Sequence, residues 1–226
     1  MSSSTSYSLK KNDLNKLVYP DMAYIDTCYL LEMDSAYSNY YQRECKNFFT
    51  NASDAGTLFA ISGHVLNELE HSIIRAKYAE VAKKEKITSD EGKAPWQVLF
   101  DKDPSYMDTV DKEMGRIIEV IKENQILTLD YESDEKHRLL VRAISIIYGL
   151  DSYDAMHVSI MLQYEINSIA TLDPHFLRVE GLNVYGPSKD IVSNSNTTDN
   201  PYIEFNSKIV KDIIENYQKR TFLVGK

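Results

Sequence analysis

Four carboxylates in this chain stand where they could act together. Asp26 closes the apolar run Ala23-Tyr24-Ile25, and Asp173 closes Ile169-Ala170-Thr171-Leu172. Asp154 follows Leu150 in the stretch Leu150-Asp151-Ser152-Tyr153-Asp154-Ala155, and Glu68 lies early in a helical segment after the apolar run Leu58-Phe59-Ala60-Ile61. If these runs are strands of one parallel sheet, the acids meet at one edge. Ligands of open parallel sheets sit outside the carboxyl ends of the strands, where the strand order reverses. Carboxylates crowded there repel one another and raise each other's pKa unless a cation is present. Mg2+ or Mn2+ answers that need, since a hard ion held by a few carboxylates keeps several waters and binds substrate phosphate oxygens. Such an ion activates water and offsets charge on the phosphorus under attack, and a second ion about 4 Å away would stabilise the leaving oxygen.

Each acid also has an ordinary structural reading. Asp26 before Thr27 suits the N-cap of a helix leaving the first strand. Asp154 sits in the first turn of its helix, where the macrodipole favours negative charge. Asp173 before Pro174 reads as N-cap and N1, and Glu68 beside Leu69 fits a helix flank. It is the ordered set that points to a cation. Asp151, three residues before Asp154, is read as an N-cap. His157, three residues after Asp154, and His175, two after Asp173, could touch a phosphate or a metal-bound water, but are read as satisfied histidines of the core or rim, because neither has a histidine partner at zinc-ligand spacing. His64 and His71 receive no role.

Other chemistries find no footing. The chain lacks G-x-G-x-x-G and G-x-x-x-x-G-K-[ST] loops for phosphates, and it lacks a G-x-S-x-G elbow for a hydrolase nucleophile. An aspartyl phosphatase would carry a second acid two residues on, but Asp26-Thr27-Cys28 does not. Cys28 and Cys45 lack C-x-x-C spacing and are expected as buried free thiols of a cytoplasmic protein. The net charge of −9 argues against coating nucleic acid by bulk electrostatics, yet acids around a metal contribute to that charge. The 226 residues suit one domain with an elaboration, and no apolar run approaches a membrane span.

The elements that must position the acids alternate between strand and helix patterns, which favours βα units in a mostly parallel sheet. Strands are predicted at Met22 to Asp26, Leu58 to Ile61, Ile126 to Leu129, Ser168 to Leu172 and Asn183 to Tyr185. A helix is predicted after Asp34-Ser35 with Tyr37, Tyr41, Cys45 and Phe48 on one face. Ser62 is expected to cap a helix whose apolar face is Val65, Leu69, Ile73 and Ala76. Met107, Val110, Met114, Ile117 and Ile121 mark another, and Gly149 is the expected stop of the helix through Leu139, Leu140, Ala143 and Ile147. Residues 1–20 read as a polar leader, disordered over Met1 to Lys11, and 83–104 as an insertion with Trp96, Val98, Leu99 and Phe100 docking back. A linker and C-terminal amphipathic helix carrying Ile209, Ile213, Ile214 and Tyr217 occupy 188–226.

Four segments, in this order, resemble the acidic motifs of the PIN-domain nucleases. They are Tyr24-Ile25-Asp26-Thr27, Val65-Leu66-Asn67-Glu68-Leu69, Asp151-Ser152-Tyr153-Asp154-Ala155-Met156-His157, and Ala170-Thr171-Leu172-Asp173-Pro174-His175-Phe176. The resemblance spans about Ala23 to Tyr185 and places the nuclease domain at 21–187. It implies a three-layer α/β/α fold on a five-stranded parallel sheet of order 3-2-1-4-5. It also implies metal-dependent phosphodiester cleavage, most often in RNA, with Asp26, Glu68, Asp154 and Asp173 as catalytic and metal-binding acids. Thr171 and Thr27 are placed to support ligand carboxylates, although strand and capping chemistry explains both. In that strand order Asp130, whose Thr128-Leu129-Asp130 repeats Thr171-Leu172-Asp173, lies roughly 10 Å from the first strand and is expected to be a cap or surface acid. The chain is longer than compact toxin-type members of the family.

The expected protein is a Mg2+- or Mn2+-dependent endoribonuclease acting on single-stranded RNA. A PIN-fold binding or scaffold protein that does not cut is the alternative, as is a toxin-type ribonuclease held by an antitoxin. An antitoxin or other protein partner and a homo-oligomer are compatible with the sequence; a membrane partner is not expected. Arg75, Lys77, Lys83, Lys84 and Lys86 would meet substrate from the rim, although a solvated helix face explains them equally.

Overall fold

The computed structural model describes residues 4–9, 17–38, 40–131, 133–193, 211–217 and 219. The chain forms two compact units, one from residues 1–64 and 127–226 and the other from residues 65–126.

The first unit is built on a six-stranded sheet. Its strands are β1 (Thr5–Ser8), β2 (Met22–Ile25), β3 (Leu58–Ser62), β4 (Leu127–Leu129), β5 (Ser168–Ala170) and β6 (Asn183–Gly186). Every pairing is parallel, in the order β1-β6-β5-β2-β3-β4. The run β4-β3-β2-β5-β6 is the predicted five-strand order. Ala23, Tyr24, Ile25, Ala60, Ile61, Ile169 and Ala170 are fully buried, as expected when helices flank a parallel sheet and apolar runs replace alternation. The helices of this unit are α1 (Thr27–Met33), α2 (Gln42–Asp54), the start of α3 (Gly63–Lys84), α6 (Glu135–Tyr148), α7 (Ser152–Gln163) and α8 (Lys189–Ser193).

The sixth strand corrects the reading of Met1 to Lys11 as a disordered leader. Thr5-Ser6-Tyr7-Ser8 has no apolar alternation, so periodicity passes over it. It is held instead by its ladder to β6, by the stacking of Tyr7 on Tyr185 at 4.5 Å, and by Ser4, whose hydroxyl donates to the Leu177 carbonyl. Two helix starts also differ from the reading. Tyr37 and Tyr41 precede α2 rather than lying in it, and Ser62 ends β3 with its hydroxyl 2.6 Å from the Tyr24 hydroxyl. Gly149 does stop α6, in the left-handed region at φ +65.

Gly186 ends β6 where there is no room for a side chain. A Cβ there would fall against the Thr171 carbonyl oxygen and the Ile191 side chain. The end of β6 and the residue following β5 are therefore in close backbone contact.

The second unit contains the rest of α3, then α4 (Pro95–Lys102) and α5 (Met107–Glu123). It has its own core of Tyr78, Ala82 and Leu99, against which Ile74, Trp96, Tyr106 and Met107 pack. The predicted insertion at 83–104 falls inside this unit. Beyond α8, residues 211–217 are helical with Ile213 buried, while Ile209 of the predicted C-terminal helix lies outside the described residues. Among the described residues, no helix is long and apolar enough to cross a membrane.

Candidate metal centre

The chain runs outward from β2 to β3 and β4 on one side, then returns to place β5 and β6 on the other. The order reverses between β2 and β5, which pair through Tyr24–Ile169 and Ile25–Ala170. Asp26 and Thr171 each follow the last residue of one of these strands, and the Asp26 N–H donates to the Ala170 carbonyl at 3.0 Å.

Asp26 holds the N-cap position of α1, yet its carboxylate makes no capping hydrogen bond. The capping reading fails for this residue because the side chain is taken elsewhere. The Thr171 hydroxyl donates to Oδ2 at 2.6 Å and the Cys28 thiol donates to the same oxygen at 2.8 Å. His157 Nε2 lies 3.6 Å from Oδ1, and its Nδ1 is 3.1 Å from the Tyr24 hydroxyl. Burial, then the negative charge of Asp26, push the Cys28 thiol well above its ordinary pKa, so it remains a donor.

Asp173 does cap, accepting the His175 N–H at 2.8 Å at the start of the 3-10 turn Pro174–Arg178. Its own N–H donates to the Thr171 hydroxyl at 2.9 Å. One buried hydroxyl thus ties Asp26 to Asp173. Thr171 has the supporting role that strand chemistry alone would not give it.

Asp151 caps α7 by accepting the N–H groups of Tyr153 and Asp154 at 2.8 and 2.9 Å. That cap turns Asp154 into the site. Burial raises the Asp154 pKa first, followed by the charges of Asp173, Asp151 and Asp26, while His157 opposes them; the result is pushed up to about 6. Asp154 Oδ2 is buried and accepts no hydrogen bond from any described residue. His175 Nδ1 lies 3.5 Å from this oxygen and 3.4 Å from Asp173 Oδ1.

A buried carboxylate oxygen without a donor, crowded by two further acids, suits a divalent cation. Asp154, Asp173 and His175 each offer one ligand atom, and these atoms lie within 4.8 Å of one another. The structure therefore brings together Asp26, Asp154 and Asp173. Glu68 lies on α3 in the second unit, so its membership of the set rests on the order of the motifs. Sequence reasoning gave Cys28 no role beyond a buried thiol, and it weighed His157 and His175 near the acids but preferred them as satisfied histidines. Their only signal was spacing of two or three residues from an acid. Asp130 is exposed at the end of β4, two strands from β2, as expected of a surface acid.

Among known proteins, the family model described as PIN domain matches residues 23–182. No curated protein matches the chain. A solved structure similar to it is VapBC2 from Rickettsia felis bound to a DNA fragment from its promoter. That likeness has 12% sequence identity and a TM-score of 0.43, and covers 73% of this chain and 98% of the other.

Proposed function

The chain belongs to the PIN domain family, and from that premise we propose that it is a Mg2+- or Mn2+-dependent endoribonuclease hydrolysing phosphodiester bonds in single-stranded RNA. The observation that carries this reading is the crowding of Asp26, Asp154 and Asp173 at the strand-order reversal, with Asp154 Oδ2 buried and undonated. Asp26, Asp154 and Asp173 would hold the cation, with Glu68 as the fourth acid by motif order. A divalent ion bound there supplies an activated water and neutralises charge on the phosphate.

The chain's own residues prepare that chemistry. Thr171 and Cys28 fix one oxygen of Asp26 and leave the other turned toward His157. Asp151 aims Asp154 from the first turn of α7. His175, half exposed, stands beside Asp154 and Asp173, where it is placed either to join the ligand set or to meet a substrate phosphate. An imidazole among oxygen ligands suits Mn2+ better than Mg2+.

The test is cleavage of single-stranded RNA by the purified protein with Mn2+, beside a DNA strand of the same sequence, with Asp26→Asn and Asp154→Asn as comparisons. RNA cleavage that stops with a chelator and falls at least about 100-fold in both variants is expected. Equal cleavage by wild type and variants would place the activity elsewhere. No cleavage, together with no Mn2+ binding by calorimetry, would leave a PIN-fold scaffold.

A further inference from the structure

The second unit carries an aromatic recess of its own. His71 on α3, Lys93 before α4, and Trp96, Gln97, Phe100 and Asp101 on α4 line a cavity of about 290 Å³. The rings of His71 and Trp96 stand nearly perpendicular, at 78° with centroids 5.8 Å apart. Trp96 packs from behind on the core of the unit, and Phe100 meets Tyr78 edge to face at 5.1 Å.

The rim is fixed by local chemistry. Asp90 and Lys93 exchange two backbone hydrogen bonds across Glu91 and Gly92, both in the left-handed region at φ 46 and 81. Glycine is the residue that accepts the second of these positions. Pro95 then starts α4 at N1, and Gln97 Oε1 reaches back to accept the Ala94 N–H at 2.9 Å.

The recess also presents polar atoms that no described protein group takes up. Among the described residues, no hydrogen bond takes up the Trp96 indole N–H, the ring nitrogens of His71 or the amide NH2 of Gln97. Lys93 is paired with Asp101 at 2.6 Å, both half-exposed, so the pair is weak enough for the ammonium to turn to another anion. Flat apolar walls with donors and acceptors at the edge fit a planar heteroaromatic ring. A saturated apolar side chain would cover those polar atoms without pairing them. The volume suits one such ring with its substituents.

We propose that this recess binds a nucleobase, seating one base of single-stranded RNA in the corner formed by the perpendicular rings of Trp96 and His71, with its edge toward Gln97. The identity of the ligand rests on the nuclease reading; the recess itself does not. Base–aromatic stacking tolerates any sequence, so the site would add grip without selecting bases.

Trp96 is the single tryptophan of the chain, so its emission reports this recess alone. The full chain is titrated, with chelator present, with AMP, UMP, a six-nucleotide single-stranded RNA and ribose 5-phosphate. Saturable quenching by the nucleotides and the oligomer, but not by ribose 5-phosphate, supports the proposal. His71→Ala and Gln97→Ala change exposed side chains, and an unchanged far-ultraviolet circular dichroism spectrum and melting temperature verify their fold. About a tenfold weakening in His71→Ala is expected. Absent quenching, equal affinity in the variants, or equal quenching by ribose 5-phosphate overturns it, as does quenching by an apolar peptide where AMP gives none. RNA cleavage by a protein whose Trp96 stays silent removes only this site. Quenching in a protein that cuts no RNA removes only the nuclease reading.

Discussion

Thr171 commits its one hydroxyl twice, donating to Asp26 and accepting from the Asp173 N–H, and it is fully buried. Replacing it with valine preserves the shape but strands a part-buried N–H and half of the support of a carboxylate. Thr171→Val should therefore destabilise the protein by about 1–3 kcal/mol, read from denaturant unfolding. It should also lower cleavage more than Cys28→Ala does, since the thiol is the weaker donor. Equal activity in Thr171→Val and wild type would show that Asp26 needs no such tether. Part of this was legible beforehand: Thr171 stands two residues before Asp173, and support of a ligand carboxylate was one of its two readings, although ordinary strand chemistry was preferred. The Cys28 thiol was not, because a lone cysteine in an apolar stretch signals burial and nothing about the partner it meets. His175 was read as ordinary because its role depends on α7 and the turn after β5 converging, and linear spacing cannot express that.

At the scale of elements, the end of β6 is as much a part of the site as the acids. Gly186 lies against the Thr171 carbonyl and Ile191 of α8. Gly186→Ala should push β6 away from the residue that positions Asp26. A loss of about 1–3 kcal/mol is expected from such overpacking, with cleavage falling alongside stability. Wild-type melting and activity in this variant would mean the backbone yields at no cost. The central strands were readable because parallel strands buried on both faces are continuous apolar runs. β1 was not readable, since a polar strand held by its ladder and one tyrosine stack has no hydrophobic period. α2 was placed too early for a related reason: Tyr37 and Tyr41 have helical spacing, but they belong to the segment before it.

At the scale of the whole molecule, the acid crowding sets a pH dependence. The Asp154 carboxyl, raised from 3.8 to about 6, binds its proton more tightly in the folded than in the unfolded chain. Its contribution to stability is complete below the unfolded value and is lost as pH rises through about 6. Without metal, melting temperature should fall more between pH 5 and pH 7.5 in wild type than in Asp154→Asn. Mn2+ should raise it more at pH 7.5 than at pH 5, because the cation replaces a proton. Scanning calorimetry of both proteins at both pH values decides this, and parallel profiles would remove Asp154 from the ligand set. The helices through Val65 to Ala76 and Met107 to Ile121 were legible, but the second unit as a unit showed only as a weakening of pattern at 83–104. Its boundaries depend on which residues share a core, a relation that local composition does not carry.

The strand order has a consequence in time. β2 and β5 are neighbours, yet Tyr24 and Ile169 are separated by most of the chain, and β1 pairs with β6, made later still. Contacts this distant in sequence form slowly and late. During synthesis Asp26 emerges early and waits without its partners. Thr171 and Asp173 join it only when β5 has inserted beside β2. A ribosome translating this message therefore carries a nascent chain whose acid cluster is incomplete until about residue 173 has left the exit tunnel.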